Sequence, residues 1–143
     1  MKKILLVNFV VLLFLSGCVK YDNSLKINKT KINLIGIADT QEKSYLGLSF
    51  RESICSNCGM LFPFNGKNEH TFVMRDMMFP LDIIWIDDDE IIKIDKNLPP
   101  EGHDFEKFYK SESPVNYVLE VNANFCDKNN IKVGDKLVYN FKK

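Results

Sequence analysis

The run Leu81-Asp82-Ile83-Ile84-Trp85-Ile86, followed by Asp87-Asp88-Asp89-Glu90 and then Ile91-Ile92-Lys93-Ile94-Asp95, constrains the fold more than any other stretch. β-Branched and aromatic side chains fit a pleated, half-buried surface and lose rotamer freedom in a helix. Two such runs joined by a short acidic stretch predict a hairpin, with the four acidic residues as its solvated turn. A lone hairpin is not stable in water, so other strands must cover it.

The rest of the sequence supplies them. Residues 32–38 (Ile-Asn-Leu-Ile-Gly-Ile-Ala) suit a strand, with Gly36 placed for a bulge. Asp39 followed by Glu42 has capping-box spacing, which predicts a short helix over residues 40–48. Residues 59–64 and 71–74 read as two short strands divided by the turn dipeptide Asn65-Gly66. Residues 98–113 hold Pro99-Pro100, Gly102 and many charges, and read as a long exposed loop. Residues 117–121 alternate as a strand, 124–130 suit a helical turn, and 137–141 form a last strand.

Composition narrows the function classes. The chain has 143 residues and is 45% hydrophobic, enough for one domain with one core and too apolar for disorder. Its 19 Lys+Arg equal its 19 Asp+Glu, so the basic excess expected of a nucleic-acid partner is missing. No Gly-rich phosphate loop, Gly-x-Ser-x-Gly or His-Glu-x-x-His occurs, and the case for an enzyme is weak.

The first residues read as an export signal. Lys2 and Lys3 precede a run from Ile4 to Leu15, apolar apart from Asn8, that is too short to span a bilayer. It ends in Leu15-Ser16-Gly17-Cys18, which resembles a bacterial lipobox. That resemblance implies cleavage before Cys18 and acylation of its sulfur, with palmitate among the expected chains. The expected organisation is a signal peptide over 1–17, a polar tether over 18–31 and a folded domain over 32–143. The expected location is extracytoplasmic, at a membrane.

Six blocks in order then carry a second resemblance. They are Gly47-Leu48-Ser49-Phe50-Arg51, Gly59-Met60-Leu61-Phe62, Phe72-Val73-Met74-Arg75-Asp76, Pro80-Leu81-Asp82-Ile83-Ile84, Tyr117-Val118-Leu119-Glu120-Val121-Asn122 and Gly134-Asp135. Together they resemble the "domain of unknown function 192" family over residues 32–141. The resemblance implies a small, mostly β domain, antiparallel and partly closed like a barrel, with one or two short helices. It carries no established activity. The family's Phe-Trp-Met-Lys-Asn-Thr stands here as Phe72-Val73-Met74-Arg75-Asp76-Met77, so a ligand stacking on that tryptophan would lose its partner.

Two groups of residues could carry chemistry. Cys55-x-x-Cys58 reads most plainly as a disulfide outside the cytoplasm. A redox dithiol, or a metal site completed by His70 and Cys126, are the alternatives, and no metal or other cofactor is expected. Arg51, Arg75, Asp76, Asp82 and Glu120 are polar residues inside apolar blocks, beside Met74. Arg51 and Arg75 are the only arginines, and a guanidinium gives planar recognition of a carboxylate. These six residues are the candidate ligand site, with structural ion pairing as the competing reading. A third set, Met60, Phe62, Phe64, Phe72, Met74, Met77, Met78, Phe79 and Trp85, reads as core, with part of the run Met77-Met78-Phe79-Pro80 free to line a groove because Pro80 disrupts regular pairing.

The expected function is a non-catalytic binding or assembly module, lipid-anchored at the cell envelope, for a small-molecule or peptide ligand. The alternative is an enzyme, either a thiol redox protein or a carboxylate-based hydrolase. The sequence leaves the oligomeric state open.

Overall fold

The computed structural model of the chain describes residues 23–140. The signal peptide and Cys18 lie outside the described residues. Nine strands and two short helices follow in the order β1 (Ser24–Ile27), β2 (Thr30–Ile37), α1 (Gln41–Leu46), β3 (Cys58–Asn68), β4 (Thr71–Phe72), β5 (Leu81–Asp87), β6 (Glu90–Leu98), β7 (Tyr109–Lys110), β8 (Val115–Asn122), α2 (Phe125–Lys128) and β9 (Leu137–Asn140).

Seven strands form one sheet in the order β6-β5-β8-β3-β2-β1-β9, strongly curled into a half-barrel, and β4 pairs with β7. The expected mostly β, barrel-like fold is what forms. The pairing is antiparallel except for β2 beside β3, which is parallel. A parallel pair needs a long crossover, which here is α1 and the loop after it. The two edge strands meet at one end through an isolated bridge between Glu90 and Lys136, supported by Leu137 N–H donating to Asp89 O.

Strand alternation divides the core in two. Leu61, Ile84, Ile86, Leu119 and Val121 face inward with Leu25, Ile27, Phe125 and Cys126. Met60, Phe62, Ile83, Trp85 and Val118 face the other way, under a cover of Leu48, Met74, Met77 and Phe79 from the connecting segments. Residues 81–86 of β5 are all completely buried because both faces are covered, which is why its sequence is apolar at every one of these positions except Asp82. Its one indole N–H donates to Asp95 on β6 at 2.7 Å.

Several sequence expectations need correction. β1 occupies part of the expected tether, with Leu25 and Ile27 fully buried. Thr40 caps α1, its hydroxyl accepting from Lys43 N–H at 3.2 Å, while Asp39 pairs with the Lys43 ammonium instead. Asn65-Gly66 makes no turn. β3 runs through it, and the register against β8 slips between Pro63 and Asn68. The expected strand over 71–74 shortens to Thr71–Phe72. The loop over 98–113 is anchored by β7 and by Glu101 N–H donating to Met74 O.

Candidate functional site

Glu120 sits on β8 with its side chain on the Phe62 and Trp85 side of the sheet, opposite Leu119 and Val121. It is 5% exposed, and its Oε2 has no hydrogen-bond partner among the described residues. Burial alone pushes its carboxyl up to about 8. At neutral pH this side chain is mainly a neutral acid, able to donate as well as accept.

Above it lies a cavity of about 60 Å³, walled by the turn after α1 (Gly47, Leu48, Ser49), by Phe62 and Phe72, and by Val73, Met77, Tyr45 and Arg75. That volume exceeds what one water molecule needs. Phe62 and Phe72 meet edge to face at 4.9 Å. Gly47 has a φ of +50°, and a Cβ there would lie 3.5 Å from the Phe62 ring and 3.9 Å from Glu120 Oε2. Its lack of a side chain therefore keeps the space over the carboxyl open. Gly59 is required for another reason: a Cβ there would lie 2.7 Å from the Glu120 carbonyl, so β3 and β8 could not pair at that point.

Arg75 closes one side. Its guanidinium lies 3.9 Å from the Tyr45 ring centroid, donates from Nη2 to Tyr45 O at 2.7 Å, and places Nε 3.6 Å from Asp76 Oδ2. Asp76 in turn faces His103 Nδ1 at 3.4 Å. Ser49 ties the segment down by donating to Arg75 O at 2.8 Å. Phe50 and Asp76 both adopt positive φ, and Phe50 N–H donates to Asp76 O, so two strained residues hold this rim.

The structure therefore brings Glu120, Arg75 and Asp76 to one place and scatters the other three candidates. Asp82 is fully buried on the opposite face of the sheet. It accepts from the backbone N–H groups of Asn97, Asn124 and Cys126 at 2.9, 3.2 and 3.0 Å, which makes it a bracket for α2. Arg51 is exposed on the turn after α1, and Met74 is a fully buried core residue. Tyr45, Gly47 and Val73 belong to the cavity but were not named as candidates from the sequence, while Phe62, Phe72 and Met77 come from the aromatic and methionine set read as core. Gly47 at a helix end is an ordinary capping signal, and nothing in the sequence ties it to Glu120.

Cys55 and Cys58 are joined by a disulfide just before β3, and Cys126 is a buried free thiol whose ionisation burial pushes well up. Among the described residues, no three His, Cys, Asp or Glu side chains are grouped to hold a metal ion.

The signature of the family described as uncharacterized ACR, the domain of unknown function 192, matches residues 23–139. The chain belongs to this family. The matched region begins just before β1, so the domain of unknown function 192 includes the β1–β2 hairpin. No curated protein matches the chain. Two crystal structures share the fold. One is a "putative transcription regulator" from Sinorhizobium meliloti 1021, with 28% identity and a TM-score of 0.74, covering 86% of this chain and 98% of that one. The other is a protein of unknown function from Novosphingobium aromaticivorans DSM 12444, with 29% identity and a TM-score of 0.73, covering 80% of this chain and 83% of that one.

Proposed function

We propose that this protein is a non-catalytic binding module, held at the cell envelope by a lipid on Cys18, whose ligand places a polar group in the cavity over Glu120. The observation that carries the binding reading is the orphaned Glu120 Oε2 in a cavity walled in part by Phe62, Phe72, Val73 and Met77. A buried polar atom without a partner costs about 1–3 kcal/mol, and a ligand that supplies the partner recovers that cost on binding. Asp82 lies on the other side of the sheet from Glu120, so the carboxylate pair of a hydrolase is not assembled from these two residues. The Cys55–Cys58 disulfide supports an oxidising compartment, and the lipobox-like Leu15-Ser16-Gly17-Cys18 supports the anchor.

Trp85 is the only tryptophan, and Phe72 of the cavity wall packs against it at 5.6 Å. Its fluorescence is therefore a local reporter. Titration with n-butylamine, butyramide and 1-butanol should give a saturable change with at least one of them, and that change should vanish in Glu120→Ala. A flat response to all three rejects the cavity as a binding site. For the anchor, Cys18→Ser should move the protein from the membrane pellet to the soluble fraction. A variant that still pellets and resists alkaline wash rejects the lipid.

A further inference from the structure

We infer that the group entering the Glu120 cavity is a primary ammonium on a short unbranched alkyl chain, as on a small alkylamine or at the end of a lysine side chain. The inference rests on reading the cavity as a binding site and goes on to name what it selects. Three observations lead there.

The first is the composition of the walls. Phe62, Phe72, Val73 and Met77 offer methyl, thioether and ring surface beside the polar groups of Ser44, Ser49, Tyr45 and Arg75, and Glu120 is the one carboxyl in the lining. Methylene groups gain from the ring and methyl part of these walls, and the carboxyl is the one acidic group that a cation would meet there. Aromatic rings also attract a cation electrostatically.

The second is the location of charge. The other titratable side chains lining the cavity are Tyr45 and Arg75, with Asp76 and His103 behind Arg75. The Arg75 guanidinium is already stacked on Tyr45, bonded to Tyr45 O and faced by Asp76. Among the described residues no ion pair reaches the Glu120 carboxyl, since Arg75 pairs with Asp76, and burial pushes the carboxyl up. A ligand ammonium would be its first ion-pair partner, and such a charge-assisted bond to a buried carboxyl is stronger than one to a neutral amide or alcohol.

The third is the rim. Tyr45 and Phe50 are 69% and 68% exposed, and Leu46 is 49% exposed. Large apolar side chains left in water around a small polar cavity suit a ligand that extends beyond the inserted chain. A lysine presented by a polypeptide would use this rim; a free alkylamine would not.

Binding then moves one proton. The ammonium enters with all three of its protons, Glu120 releases its own proton to bulk water, and the resulting carboxylate accepts an N–H. The experiment is calorimetric titration of the purified protein with n-butylamine, butyramide and Nα-acetyl-lysine N-methylamide, in two buffers of different ionisation enthalpy, from pH 6 to pH 9. The expected result is release of close to one proton per ammonium bound at neutral pH. Affinity should rise about tenfold per pH unit below the Glu120 midpoint and level off above it. Glu120→Gln, which keeps the shape but cannot ionise, should lose amine binding and proton release together while melting as the parent does or higher. Tighter binding of the lysine derivative than of butylamine assigns the ligand to a polypeptide, and equal binding assigns it to a small amine. Butyramide binding without butylamine binding, or amine binding with no proton released, overturns the inference and leaves the cavity a binding site. Silence from every probe overturns both.

Discussion

Ionising Glu120 in the folded protein places a charge at a buried position where Oε2 has no hydrogen-bond partner among the described residues, while in the unfolded chain the same carboxyl is solvated. Its folded value of about 8 therefore lies above its ordinary 4.5. The folded state holds the proton more tightly, so the contribution to stability is full below about 4.5 and is lost as pH rises through 8. At about 1.4 kcal/mol per unit, even half of this shift is worth about 2 kcal/mol. Glu120→Gln should flatten the fall in stability between pH 5 and 9, which urea melts at several pH values will measure. An unchanged slope would mean that Glu120 does not carry it. Asp82 has the opposite role. Its carboxylate accepts three backbone N–H groups, so Asp82→Ala strands three donors and should cost about 3 kcal/mol or more in the same melts. Asp82→Asn, which keeps one acceptor oxygen, should fall between. The two residues look alike in sequence, each an acid between apolar neighbours. Only the pairing register, with Ile83 rather than Asp82 opposite Glu120, sends them to opposite faces.

Elements were legible where local pattern and tertiary demand agreed. The β5–β6 hairpin forms where the β-branched runs place it, because its apolar residues are those the core takes up. Gly36 marks a real slip in register between β2 and β3. The failures come from signals that had two structural outlets. Asn-Gly favours a turn in isolation, but beside β8 the positive φ of Gly66 fits within a continuous strand whose register slips there. The reversal of chain direction falls instead between Asn68 and Thr71. Asp39 and Thr40 compete for the same cap, and Thr40 takes it in an extended conformation. Thr40→Ala should then lower stability by about 1 kcal/mol, whereas Asp39→Ala should leave the thermal midpoint unchanged. The reverse order would restore the capping-box reading. The cavity was out of reach for a different reason. Its walls come from α1, β3, β4 and β8, whose meeting is set by a parallel crossover that no local pattern encodes.

At the scale of the molecule, the sheet is a ring left ajar. Its outer strands β6 and β9 are joined at one end by the Glu90–Lys136 bridge and by backbone hydrogen bonds of Ile91 with Gly134 and Asp135, and they do not pair as a continuous ladder, so each retains a partly open edge. Ion pairs crowd that end, with Lys136 beside both Asp89 and Glu90 and Lys67 beside Asp88. Exposed pairs of this kind add little stability, but charge at a strand end discourages edge-to-edge association.

The strand order has one more consequence. Ser24 at the start of β1 lies opposite Asn140 at the end of β9, so the two exits of the domain are a hairpin's width apart. The natural order of elements is thus one of several cuts through a circular path. A permuted chain that joins Asn140 to Asn23 through an Asn-Gly turn and opens between the exposed residues Glu106 and Lys107 should fold to the same sheet. Its amide spectrum should overlay the parent's except near the new ends, and a collapsed spectrum would show that the order of synthesis matters to this fold.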